Sequence, residues 1–272
     1  MEKSSGSLTS CSKDRLPSYK HPPVNEVVCG VRFQPSPNFT LPYIGILWNK
    51  FREKYPRVEH APPLAVRPNQ ILIDTVTGAP LPRVWFINAQ DNQLVQFQTD
   101  RIYFNWRQRQ DAYPRYENVI MNFEEVLDTV ETFFKESELG EFIPIECELS
   151  YINHISKRVG RDMVEEHQRV FRDFKWHELQ RFLPNPSNVS WSMRFALPEK
   201  KGHLNVSLKE GALKENNKQV FILNLTARGI SQATDRSGIR EWFDTAHVWI
   251  VCGFTDLTTE TIHAEEWERE DA

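Results

Sequence analysis

The chain has no apolar run approaching the ~20 residues that span a bilayer, so a transmembrane helix is not expected. It has no CxxC pair. Its four cysteines, Cys11, Cys29, Cys147 and Cys252, stand too far apart for metal-ligand spacing, and no disulfide framework is expected. Cys29 and Cys147 fall inside expected strands, where a free thiol behaves as a small buried hydrophobe. Reduced thiols and an N-terminus without an apolar h-region lead us to expect a cytoplasmic protein. Runs of Lys and Arg are absent too. The net charge is -4 over 272 residues, and counterion release rewards proteins that present many cations to phosphates. Such a chain is not built for non-specific nucleic-acid or membrane binding. GxSxG, HExxH, the P-loop and GxGxxG are all missing, so no motif assigns a reaction. We expect no catalytic residue, metal site or cofactor, and an enzyme is the less favoured reading.

What the sequence does contain is one order of elements that occurs twice. Its first occurrence is a strand from Glu26 to Phe33, a helix over Leu41–Tyr55, and strands near Val58, Arg83–Ala89, Gln93–Gln98 and Arg101–Arg107. A long helix over Tyr116–Ser137 closes it. The second is a strand over Ile143–His154, helical segments between Asp162 and Leu183, and strands Val189–Leu197, His203–Leu208 and Val220–Arg228. A helix from Ile239 and a short one carrying Trp267 end it. Residues 1–20, rich in Ser and Lys, read as a flexible tail. Residues 21–140 and 141–272 read as two similar lobes. Ala61–Gly78, rich in Pro and polar residues, reads as the most mobile connection.

Period-two alternation defines the strands. Val27, Cys29, Val31 and Phe33 alternate with Glu26, Val28, Gly30 and Arg32, and Ile102, Phe104 and Trp106 alternate with Tyr103, Asn105 and Arg107. Phe123, Val126, Leu127, Val130, Phe133 and Phe134 form one helical stripe. Phe104, Trp106, Phe123, Val130, Trp191, Phe195 and Trp242 are expected in the core. One-sided alternation implies antiparallel sheet with one buried face. The expected class is α+β, with long helices covering that face of two sheets or of one continuous sheet. By analogy, the element order resembles TATA-binding-protein-like topology, an analogy without functional content.

The segment His21-Pro22-Pro23-Val24-Asn25-Glu26 leads into a strand ending Arg32-Phe33. Gln96-Phe97-Gln98 before Asp100-Arg101, Asn105-Trp106-Arg107, Tyr113-Pro114-Arg115-Tyr116, Tyr151-Ile152-Asn153-His154-Ile155 and the closing Phe254–Trp267 follow in order. This ordered set resembles a sporadically distributed family of uncharacterised bacterial proteins with an N-terminal Pro-Pro-x-x-Glu strand motif, over residues 21–267. The resemblance implies no activity. The family's patchy distribution is similar to that of accessory or defence genes.

Strand parity places Glu26, Arg32, Gln96, Gln98, Asn105 and Arg107 on the face opposite the core. Glu26, Arg32, Gln98, Asn105, Arg107 and Arg115 are the candidate binding residues, Arg115 standing at a helix start where backbone N–H groups could meet an anion. Cross-strand pairing on an ordinary solvated face is the alternative. His247, among Trp242, Ala246 and Trp249, reads as a core histidine. Glu146 and Glu148 point to one side of a strand and are a weak divalent-metal candidate. The favoured function is a non-enzymatic binding protein, an adaptor, immunity or regulatory subunit with a protein partner. A small-ligand binder or enzyme with a cleft between the lobes, using Glu26, Arg32, Arg107 and His154, is the alternative. A nucleic-acid sensor using Tyr103, Arg107 and Arg194 is a third reading.

Overall fold

Alternating strands that bury one face need a partner layer, and the two longest apolar stripes are helical. The computed structural model describes residues 15–64, 73–74, 76–176, 181–213 and 215–270. Its elements are β1 (Val24–Phe33), α1 (Pro42–Phe51), β2 (Arg57–Ala61), β3 (Arg83–Ile87), β4 (Gln93–Gln98), β5 (Arg101–Arg107), α2 (Arg115–Glu136) and β6 (Pro144–Ser156). There follow α3 (Met163–Val170), β7 (Trp191–Ala196), β8 (His203–Ala212), β9 (Gln219–Gly229), α4 (Arg236–Leu257) and α5 (Glu260–Glu265). The strands form one antiparallel sheet in the order β2-β3-β4-β5-β1-β6-β9-β8-β7. Of the two expected sheet arrangements, this is the continuous one. The seam is β1 against β6, paired from Val24↔Asn153 to Phe33↔Pro144.

One face carries the helices. α2 packs on β1 and β5, and α4 on β6, β9 and β8. Val27, Cys29, Val31 and Phe33 of β1 meet the stripe Phe123, Val126, Val130 and Phe134 of α2 in a core that continues through Trp242, Phe243 and Ala246 of α4. α4 begins at Arg236, three residues before the expected start, because Asp235 caps it by accepting from Gly238 N. α3 ends at Val170, where Phe171 turns extended and bridges Thr258, and residues 177–180 of the expected helical stretch lie outside the described residues.

Three other expectations are corrected. Tyr19 is buried, with its OH 2.8 Å from Thr255 Oγ1, and it bridges Arg269, so the ordered body starts before residue 21. Residues 1–14 of the expected tail lie outside the described residues, as do 65–72 and 75 of the connection over Ala61–Gly78. In the described part of that connection, Asp74 accepts from Leu41, Val76 and Thr77 N. Phe195 is 39% exposed and Trp191 only partly buried, because β7 is the outermost strand, beyond the part of the sheet on which α4 packs. The other five expected core residues are buried. Cys29 and Cys147 are free and buried, but Cys252 is disulfide-bonded, so the thiols are not uniformly reduced. No helix among the described residues is long and apolar enough to cross a membrane.

Candidate functional site

Among the described residues, no helix covers the second face of the sheet around the seam. There the alternate residues of β3, β4, β5, β1, β6 and β9 line a shallow groove of about 690 Å³. Pairing register sets its rows. Trp85, Gln96, Tyr103, Gly30, Glu148 and Arg228 lie side by side across six strands. In the middle, the Tyr103 ring lies directly over Gly30. A Cβ there would stand 2.0 Å from Tyr103 Cδ1, so glycine is required by close approach. Burial, and then the Glu148 carboxylate, push the Tyr103 hydroxyl up to about 12.

Of the six candidate residues, the structure brings four together. Glu26, Arg32, Asn105 and Arg107 all line the groove. Asn105 Nδ2 donates to Glu26 Oε1 at 2.6 Å, and Gln96 Nε2 donates to Asn105 Oδ1 at 2.7 Å. Burial raises the Glu26 carboxyl above its ordinary value, and the Asn105 bond offsets part of that. Arg32 donates to Glu146 at 3.2 Å, and Arg107 donates to the Asp91 carboxylate at 2.9 Å. Asp91 also accepts from Arg57 and Arg109. Burial works to raise the Asp91 carboxyl, but its bonds from Arg109 and Arg57 outweigh this and hold it below its usual value.

Two candidates are displaced from the expected cluster. Gln98 is buried and clamps the chain end of the connection, accepting from Leu64 N at 2.8 Å and donating to Leu64 O at 2.9 Å. Arg115 lies across the sheet, where it donates to Tyr19 O, Ser18 Oγ and Glu270. In both cases the partner comes from a distant segment that strand parity does not reveal.

Sequence reasoning missed four groove residues. Arg83 and Trp85 alternate with Val84 and Phe86, and Arg228 stands next to buried Ala227, so the parity that identified Arg32 applies equally to them. Arg101, next to Asp100, grips that buried carboxylate through Nε at 2.9 Å and Nη2 at 2.7 Å. Burial lowers the Arg101 pKa and Asp100 more than restores it. Arg83 has no carboxylate within ion-pair reach among the described residues; it contacts Gln96 at 3.4 Å and sits over the Trp85 ring at 5.4 Å.

The lining holds five arginines (32, 83, 101, 107 and 228) and three glutamates (26, 146 and 148), and Asp100 and Asp91 beside it pair with Arg101 and Arg107. Arg32 Nε, Arg83 Nε, Arg107 Nε and Trp85 Nε1 are buried donors without a hydrogen-bond partner. Buried donors normally find one. Of the two glutamates weighed for a metal, Glu146 is engaged by Arg32 and Glu148 by Arg228 at 2.6 Å, and no group of three or more metal-ligating side chains occurs among the described residues. Comparison with known proteins finds no matching family model, no matching curated protein and no matching solved structure.

Proposed function

We infer that this chain is a non-enzymatic binding protein, an adaptor, immunity or regulatory subunit, whose open sheet face receives an acidic segment of a protein partner. The observation that carries this reading is a groove lined by five arginines, of which Arg83 has no carboxylate partner among the described residues. The Arg83 guanidinium, part-exposed and without a carboxylate, is the group an incoming carboxylate would pair with. Arginine's planar fork suits carboxylates in particular.

The nucleic-acid reading is less well supported. Tyr103, its intended stacking residue, is 6% exposed and lies flat on Gly30, which leaves little ring face for a base. Membership of the Pro-Pro-x-x-Glu family and a place in a bacterial accessory or defence system belong to the same proposal. So does an internal duplication of TATA-binding-protein-like order. It is supported by the way each half puts its opening strand at the seam and runs its last strand beside it, β5 on β1 and β9 on β6. Superposition of residues 24–138 on 143–256 tests it, and unrelated paths would remove it.

The functional test compares wild type with Arg32→Ala and Arg83→Ala, using calorimetric titration with a glutamate-rich peptide and partner pull-down. Both variants are expected to keep their melting temperature within a few degrees and to bind at least tenfold more weakly. Undiminished binding in both folded variants would overturn the reading.

A further inference from the structure

A second concavity lies on the helical side of the sheet, so it is separate from the open-face groove. It forms where the start of α2 and the later turns of α4 meet β1, β6 and β9, and it encloses about 260 Å³. One wall is the segment Leu16–Tyr19, fixed by the Arg115 bonds to Tyr19 O and Ser18 Oγ and by the Tyr19–Thr255 hydroxyl pair. Pro17, Pro22 and Pro23 contribute to the wall and, having no N–H, leave no backbone donor unpaired there. Leu225, Ile250 and Phe254 supply apolar surface.

Apart from the exposed Arg115 and Glu117, the polar groups of this pocket are few and uncharged. Tyr116 stacks on His247 at 3.8 Å with an interplanar angle of 5°, and its hydroxyl donates to Asp244 at 2.9 Å. The Tyr113 and Tyr151 hydroxyls pair at 2.8 Å. Asn153 uses its amide nitrogen on Leu223 O at 3.2 Å, while its amide oxygen accepts nothing among the described residues. His247 lines the pocket and makes no hydrogen bond among them either. Burial pushes its pKa down to about 4, so at neutral pH it offers one N–H and one bare nitrogen. The charged lining groups, Arg115 and Glu117, are both exposed, and Arg115 is already paired with Glu270.

We propose that this pocket binds an uncharged small molecule of one or two rings that carries both a hydrogen-bond donor and an acceptor. Its volume lies just below the ~300–1,000 Å³ range of ligand pockets, which suits a compact ligand. An ion would enter an interior with no free counter-charge, which is costly. A pure hydrocarbon would leave the Asn153 oxygen and the His247 nitrogens unpaired. A ring with adjacent N–H and C=O groups meets both demands.

The test titrates the full chain with 2-quinolinone, naphthalene and quinoline-2-carboxylate by calorimetry and intrinsic fluorescence. 2-Quinolinone is expected to saturate one site and to bind at least tenfold more tightly than the other two. His247→Phe should weaken 2-quinolinone about tenfold while leaving naphthalene unchanged. Val251→Trp, on the partly exposed wall of α4, should abolish binding of all three with the circular dichroism of the fold retained. Val251→Trp decides the matter alone if His247→Phe does not fold. Absence of saturable 2-quinolinone binding at millimolar concentration, equal binding of all three probes, or binding indifferent to Val251→Trp would overturn the proposal.

Discussion

Arg83 and Arg101 line the same groove but stand in opposite energetic positions. Arg101 neutralises Asp100, a carboxylate 2% exposed, through two bonds. Removing one partner of a buried pair leaves an uncompensated charge and costs about 3–5 kcal/mol. Arg83 satisfies no carboxylate, and its loss forfeits a ring contact of about 0.5–1 kcal/mol. Urea denaturation should therefore rank Arg101→Ala well below wild type and Arg83→Ala close to it; the reverse order would refute this assignment of partners. Only part of this was legible in the sequence. Strand parity is local, so it placed Glu26, Arg32, Asn105 and Arg107 together. What a long side chain does after leaving its strand depends on chain that arrives from elsewhere. Leu64 claims Gln98, and residues Ser18, Tyr19 and Glu270 claim Arg115.

Among the elements, α4 couples packing to proton binding. Its apolar stripe buries Trp242, Phe243, Ala246 and Ile250, and carries His247 against Tyr116. The folded pKa of His247 is near 4, against an unfolded value of ~6.5. The unfolded chain binds the proton first, so this contribution is fully present above pH ~6.5 and is lost as pH falls through about 4. Asp244 acts against burial and limits the shift. Thermal unfolding should thus weaken between pH 6.5 and 4, by roughly 2–3 kcal/mol from this residue. His247→Gln should flatten the decline, and an unchanged slope would show that His247 is protonated in the fold. His154, His167 and His263 are depressed by burial as well, which is why the comparison must be with the variant. Element type was legible wherever a stripe or alternation was long, as in α2 and β5. For β7 the strand was legible but its burial was not: alternation marks the side on which apolar residues sit, and it does not show that the layer above ends before reaching them.

At the scale of the whole molecule, the hydrophobic cluster is contiguous from Phe51 to Trp267, and the sheet crosses from one half to the other without interruption. Unfolding should therefore be a single transition, with fluorescence and circular dichroism coincident; separated midpoints would mean that the halves melt independently. The α+β class and the antiparallel pairing were legible, but whether the strands built one sheet or two was not, because a strand's sequence does not name its neighbour on either side. The β1–β6 seam also has a practical consequence. Only residues 137–143 join α2 to β6, and Gly140 and Glu141 within them are exposed. A break there would leave each fragment with a ten-residue or longer apolar strand edge that only the other can cover. Fragments 1–140 and 141–272 would then be insoluble apart and complementary together. Fused to two candidate interactors, they would act as a split reporter whose signal is the re-formed seam.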